Sequence, residues 1–366
     1  MNGRRVRAYI RDLIEKKDIP YLDFSLSVGN KQIFRFYDGK KGATGKEDLF
    51  LWSCTKPLTV VGVMKLVEKG GLGLDDEVEK YISEYGHTFL PNGERTTKKM
   101  TVRHLLTMSG GLSYNLDTPP VRALREKSGD RASTREIVAK FAETPLLFEP
   151  GERFEYSLCH DVLAAVVESV SGKRFAEYMD EEIFKPLGME NTRFHGNESN
   201  LAAAYSVENG KIQPIERKNW LVVGENYDSG GAGVMSCVDD YAKFARALAC
   251  GGIAENGHRL IKEESLLQIR KPHFKSARVD GGFTCAQGDD YGYGLGVRTR
   301  LRATDWGLPV GEFGWDGAAG SYLMIDPTRK ISIVMGMHLI GWPAIFRGEH
   351  LNLVKAAYAD MEDDKI

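Results

Sequence analysis

The 366-residue sequence has no apolar run near the ~20 residues that a bilayer-spanning helix needs, so no membrane partner is expected. Neither sign of charge is in excess. Lysine and arginine number 49 against 51 aspartates and glutamates, a net charge of −2, and nothing electrostatic points to nucleic acid. Cysteine is scarce. Cys54, Cys159, Cys237, Cys250 and Cys285 are scattered, odd in number and in no CxxC pair. That pattern argues against a disulfide frame or a thiolate zinc site and for reduced thiols in a cytoplasmic protein. Residues 1–17 carry charges throughout and have no apolar core of signal-peptide length. His104, His160 and His338 lie far apart with no ligand spacing, so no metal is expected. The sequence has no internal repeat. Its 42% hydrophobic and 27% charged residues are ordinary for a globular chain long enough for two domains, or one with an insertion.

What is present is periodicity. Val6, Tyr9, Ile10, Leu13 and Ile14 recur at helical spacing; residues 22–28 and 32–37 alternate as strands, with Gly29-Asn30 as a hairpin turn between them. Apolar residues from Val60 to Val67 form a helical run that Gly70-Gly71 stop. Further helices are predicted over 101–108, capped by Thr101 and closed by Gly110-Gly111, and over 134–143, 161–170, 175–184, 238–249 and 263–270. Residues 112–134 read as an irregular rim or flap, and 200–225 as a small hairpin. Strand character returns over 294–300, 313–314, 321–325 and 331–337, before a closing helix over 349–361. The predicted fold is α+β. One antiparallel sheet is built from residues 1–50 and 291–366, flanked by terminal helices, with a large helical region over 51–290 inserted. A site is expected in the cleft between these parts.

Three stretches carry chemistry. Ser53 and Lys56, in Leu51-Trp52-Ser53-Cys54-Thr55-Lys56, follow a turn-rich segment (38–48) and open the first long helix. Three residues apart they share a helix face, and Pro57 is tolerated in a first turn. A hydroxyl, an amine and free N–H groups in one volume are the parts of an acyl-transfer site, provided Lys56 is neutral part of the time. Alone, the motif equally describes an N-capping serine beside a solvated lysine, and by itself favours that plainer reading. Tyr156, in Phe154-Glu155-Tyr156-Ser157-Leu158, stands where a loop meets a helix. Beside Lys56 as a cation its phenol could ionise and serve as general base; alone it is a half-buried aromatic. Phe313 to Ser321 (FGWDGAAGS) is glycine-rich before a strand. Its Ala318 N–H could form an oxyanion hole with that of Ser53, or the stretch is a bulged strand edge with Trp315 in the core. Cys54, about 100° round the helix from Ser53, reads as a packed thiol.

Taken together and in this order, the three stretches resemble the serine beta-lactamase-like superfamily, and within it the class C beta-lactamase and family VIII carboxylesterase branch. The resemblance extends over most of the chain, through VRHLLTMSGGL (102–112), EPGERFEYS (149–157), KPLGMENT (185–192), GGAGVMSCVDDYAKF (230–244) and GWDGAAGSYLMIDP (314–327). It implies an alpha/beta sandwich plus an all-helical region in one beta-lactamase-related domain. It also implies an acyl-enzyme mechanism with Ser53 as nucleophile, Lys56 and Tyr156 moving protons, the Ser53 and Ala318 N–H groups holding the oxyanion, and no cofactor.

Two departures bear on substrate. The family's Tyr-x-Asn motif has Leu158 at its third position, and its Lys-Thr-Gly motif is Trp315-Asp316-Gly317 here. These four positions are the expected substrate contacts. Asp316 cannot replace a lysine that faces a substrate carboxylate and would oppose an anion. It would hold a substrate ammonium, or else be a turn aspartate bonded to backbone. The predicted function is a carboxylesterase-like serine hydrolase acting on a small ester or amide. A beta-lactamase or D-amino-acid peptidase is the runner-up, and a catalytically idle ligand-binding relative is the alternative of another class. Loops around 112–133, 218–228 and 273–290 would shape the pocket and carry no recognisable code.

Overall fold

Val6, Ile10 and Leu13 give α1 (Arg4–Lys16) a single apolar side, and that side is buried. The alternation that follows forms β1 (Tyr21–Val28) and β2 (Lys31–Gly39), joined through Gly29 at φ 58°. Then β3 (Leu49–Phe50) leads through one 3₁₀ turn, Trp52–Cys54, into α2 (Thr55–Glu68). From Thr55 to Leu66 every residue of α2 is buried, as befits a helix surrounded by other elements. The helical part continues through α3 (Val102–Leu106), α4 (Pro119–Ser128), α5 (Thr134–Phe141), α6 (Cys159–Ser171) and α7 (Phe175–Met179). A hairpin, β4 (Ala204–Glu208) with β5 (Lys211–Ile215), precedes β6 (Met235–Ser236), α8 (Val238–Ala249) and α9 (Glu263–Arg270). The chain closes with β7 (Tyr291–Tyr293), β8 (Arg298–Arg300), β9 (Phe313–Asp316), β10 (Tyr322–Asp326), β11 (Ile331–Gly336), β12 (Leu339–Ile340) and α10 (His350–Asp363). This computed structural model describes residues 1–39, 44–196, 198–279, 284–286 and 288–366. The middle of the turn-rich segment 38–48 and part of the pocket loop 273–290 therefore lie outside the described residues.

Seven strands form one antiparallel sheet in the order β2-β1-β11-β10-β9-β8-β7, so the two ends of the chain meet at the β1–β11 pair. Strand alternation sorts its side chains into two cores. Leu22, Phe24, Leu26, Tyr322, Met324, Ile333 and Met335 face the layer made by α1 and α10. Phe313, Trp315, Leu323, Ile325 and Val334 face α2 and the helical part, and α8 packs on β1 and β11. Each fully buried aliphatic or phenyl side chain contributes about 1.5–3 kcal/mol. The antiparallel α+β sheet with flanking terminal helices is thus the fold that the sequence predicts.

Some local expectations differ. The segment 112–134 contains α4, which begins with Pro119-Pro120 and ends at Gly129, φ 59°. Only Val121 of that helix is buried, so an apolar period was absent. The helix from Thr101 stops at Leu106, before Gly110, because Met108 turns the chain at φ 55°. Among the described residues no helix is long and apolar enough to cross a membrane.

Candidate active site

Ser53 is delivered by a strained reversal. β3 pairs with β6, and the Leu51 N–H donates to the Val234 carbonyl at 2.9 Å. Trp52 then adopts φ 50°, a left-handed value that costs a side-chain-bearing residue roughly 1–3 kcal/mol. Packing holds it there: the indole is fully buried, 6.0 Å from the Phe50 ring and 4.2 Å from that of Trp220. The reversal places Ser53 ahead of α2, where a backbone N–H has no intrahelical acceptor.

One turn on, Lys56 is fully buried. Its Nζ lies 3.2 Å from Ser53 Oγ, 2.9 Å from the Gly231 carbonyl and 3.4 Å from the Tyr114 hydroxyl. No carboxylate pairs with it directly among the described residues. Burial pushes the amine down to about 7, against the pull of the Asp161 carboxylate. Asp161, on α6, is buried as well. It accepts from the Tyr227 and Ser229 hydroxyls at 2.7 and 2.6 Å, and so holds the loop whose Gly231 carbonyl receives Lys56. Burial raises its carboxyl.

Tyr156 and Tyr114 stack at 5.3 Å with ring planes 16° apart, and Lys56 Nζ sits 4.6 Å from the Tyr156 ring centroid. The indole N–H of Trp315 donates to the Tyr156 hydroxyl at 3.2 Å. Burial raises the Tyr156 phenol far more than its bonds to Ser53 and Trp315 lower it. The expectation of a readily ionised phenol is corrected accordingly. The cation meets the ring face rather than the oxygen, and of the two groups the amine is the one that is part-deprotonated near neutrality.

The turn after β9 lies beside Ser53. Ser321 Oγ donates to the Leu51 carbonyl at 2.8 Å, tying this turn to the entrance of α2. At Gly317 a Cβ would stand 2.3 Å from that carbonyl, so only glycine allows the approach. The Ala318 N–H has no acceptor among the described residues. A cleft of about 490 Å³ opens here, with Ser53, Tyr114, Tyr156 and Ala318 on its polar side. Trp220, Leu221, Val279 and Ile340 supply an apolar wall, and among the described residues Glu155 is the one charged lining residue.

None of the four expected substrate contacts is among the residues that line this cleft. Leu158 is buried in the core at the start of α6. Trp315 is 1% exposed and reaches the site through Tyr156. Gly317 is a close-approach position. Asp316 is fully buried on the α1/α10 side of the sheet, where no substrate ammonium can reach it. There it binds Thr284 Oγ1, the Cys285 N–H, Arg298 and His350. Burial alone would raise its carboxyl, but Arg298 and His350 hold it below the ordinary carboxylate range. Four of the lining residues, Tyr114, Trp220, Leu221 and Val279, come from the three loops that carried no recognisable code. Within them only an aromatic among polar neighbours marked Tyr114 and Trp220.

A family model described as Beta-lactamase matches residues 6–353. Esterase EstB of Burkholderia gladioli is 28% identical over 327 residues, which span 81% of this chain and 79% of the relative. Acyltransferase calJ of Penicillium decumbens is 24% identical over 319 residues, 81% of this chain and 71% of the relative. Among solved structures, EstCE1, a hydrolase with promiscuous acyltransferase activity, superposes with a TM-score of 0.81 at 25% identity, covering 97% of this chain and 98% of that one.

Proposed function

We propose, from the premise that the chain belongs to the beta-lactamase family, that it is a carboxylesterase-like serine hydrolase. It forms an acyl-enzyme on Ser53 from a small ester, or a small amide, that carries no carboxylate. The observation that carries this reading is Lys56, fully buried 3.2 Å from Ser53 Oγ, where burial brings its amine down to about 7. Lys56 Nζ accepts the Ser53 proton as the hydroxyl attacks the carbonyl carbon. The Ser53 and Ala318 N–H groups receive the oxyanion. The Tyr156 phenol, kept protonated by burial and fixed by Trp315, hands a proton to the leaving oxygen or nitrogen and is resupplied from Lys56 by way of the Tyr114 hydroxyl, 3.4 Å from Nζ. Water then cleaves the acyl-enzyme through the same groups in reverse. No cofactor enters these steps.

The substrate class follows from the wall. Trp220, Leu221, Val279 and Ile340 favour an apolar acyl or alcohol group. A beta-lactam or D-amino-acid peptide would bring a carboxylate to a cleft whose described lining residues include Glu155 and no arginine or lysine. Those two activities are therefore subordinate. The proposal includes one beta-lactamase-related domain, with 1–50 and 291–366 as its sheet part and 51–290 as its helical part. It also includes a cytoplasmic location, which five free thiols support.

The test is intact-protein mass after incubation with a fluorophosphonate, with Ser53→Ala as control, followed by a panel of short-chain esters, amino-acid amides and a chromogenic cephalosporin. One adduct per chain, lost in Ser53→Ala, with fastest turnover of neutral esters, is the expected result. An unlabelled wild type would move the chain to the idle, ligand-binding class. Fastest turnover of the cephalosporin would overturn the ester assignment.

A further inference from the structure

The turn from Asp316 to Gly320 carries the Ala318 N–H, and both of its ends meet one imidazole. His350, the first residue of α10, is fully buried. Its Nδ1 lies 2.9 Å from Asp316 Oδ1, and its Nε2 3.1 Å from the Gly320 carbonyl oxygen. We propose that His350 is a positioning residue for the oxyanion site, a clamp from behind the sheet that fixes the Ala318 N–H by holding both ends of its turn. The proposal rests on the reading of that N–H as an oxyanion donor.

Hydrogen-bond accounting supports a clamp rather than mere packing. The Gly320 carbonyl can only accept. The other Asp316 oxygen receives Thr284 Oγ1 at 2.8 Å and the Cys285 N–H at 3.2 Å, with Arg298 Nη1 at 3.4 Å, so the carboxylate also accepts only. Both ring nitrogens of His350 therefore face acceptors at hydrogen-bond distance. Two contacts fixed on one planar ring set the distance between the turn's ends, and the Asp316 carboxylate gives its bond charge assistance. The ring itself is held against Tyr322, with centroids 4.4 Å apart, and edge-on to Phe346 at 5.8 Å. Inside the turn, Gly317 N–H donates to the Ser321 carbonyl and Gly320 N–H to the Gly317 carbonyl, each at 2.8 Å. Leu339 N–H holds the Ala319 carbonyl at 3.0 Å. The Ala318 N–H is left without an acceptor among the described residues. A donor misplaced by about 1 Å costs on the order of a hundredfold in rate, so a device that fixes the turn has catalytic consequence.

The experiment compares wild type, His350→Gln, His350→Phe, Asp316→Asn and the double variant His350→Gln/Asp316→Asn, on a neutral ester found in the panel. Tyr358→Phe, which removes a buried bond from the same helix to Asp326, serves as the stability control. The expected result is a fall in kcat of roughly 10- to 100-fold in the His350 variants and in Asp316→Asn, with KM within about twofold. The double variant should lose no more than the worse single one. Tyr358→Phe should lower Tm and leave kcat unchanged. His350→Phe turning over at the wild-type rate would overturn the proposal, as would a kcat loss that Tyr358→Phe reproduces at equal Tm. If the His350 variants do not fold, unchanged kcat in Asp316→Asn overturns it and reduced kcat at constant KM supports it. A wild type that takes no fluorophosphonate at Ser53 removes the oxyanion reading and this proposal together, which separates that failure from the others.

Discussion

Lys56→Met should stabilise the protein at neutral pH while it destroys turnover, and the stabilisation should vanish on raising the pH. The amine sits near 7 in the folded chain, whereas an ordinary lysine sits at 10.5. The unfolded chain therefore binds the extra proton between pH 7 and 10.5, and wild-type stability rises with pH through that window. Below 7 the full cost of a buried ammonium, about 5 kcal/mol, is present; at pH 7 about 4 kcal/mol remains, and at pH 10 about 1 kcal/mol. Methionine has no charge to bury and a similar length. It leaves the Gly231 carbonyl without its 2.9 Å donor, which costs about 1–3 kcal/mol at every pH. The net gain at pH 7 is then about 1–3 kcal/mol. With an unfolding entropy of about 2.1 cal/mol/K per residue, a chain of 366 residues would gain about 1–4 °C in Tm. At pH 10 the order should reverse or close. The assay is a thermal scan of wild type and variant from pH 6 to 10, followed by circular dichroism. Parallel Tm curves across that range would refute a buried, partly neutral Lys56, and with it the base assigned to the mechanism.

The same amine sets the rate profile. Wild-type kcat/KM should fall about tenfold per pH unit below an apparent value near 7, and Asp161→Asn, which removes the carboxylate that favours the ammonium, should move that limb to lower pH; an unmoved limb would make Asp161 purely structural. Tyr156→Phe should cut kcat at least about a hundredfold, whereas a change confined to KM would make Tyr156 a binding residue. Trp220→Ala should raise KM for long apolar esters more than for acetates, because the indole forms part of the cleft wall; equal effects on both would assign it to holding Trp52 alone.

The fold was legible because its signals are local and repeated. The hairpin of β1 and β2, the burial period of α1 and the late strands all announce themselves by spacing, and strands at both ends with helices between them leave few topologies. Ser53 and Lys56 were legible for the same reason, since a three-residue separation on a helix fixes a shared face. The lysine's neutrality was not, because it depends on burial by α6 and on a glycine loop some 175 residues away. The cleft wall was hidden in loops, where no period constrains which side chain faces inward.

Asp316 is the instructive case, because the information that corrects it is partly in the sequence. Read as a strand of two residues, 313–314, the segment leaves Trp315 and Asp316 in a turn, free to share the site. The strand runs to Asp316, and successive side chains on a strand point to opposite faces. Trp315 packs beside Tyr156 on the active-site face, so Asp316 must pass to the other, where it would be a ruinously buried charge without partners. Strand length therefore decided the chemistry assigned to the residue. Its partner His350 lies 34 residues further on, across a layer boundary that only tertiary packing defines. The acid that sequence placed against substrate instead helps to anchor the turn beside it, and an aspartate in this position requires a buried cation behind the sheet.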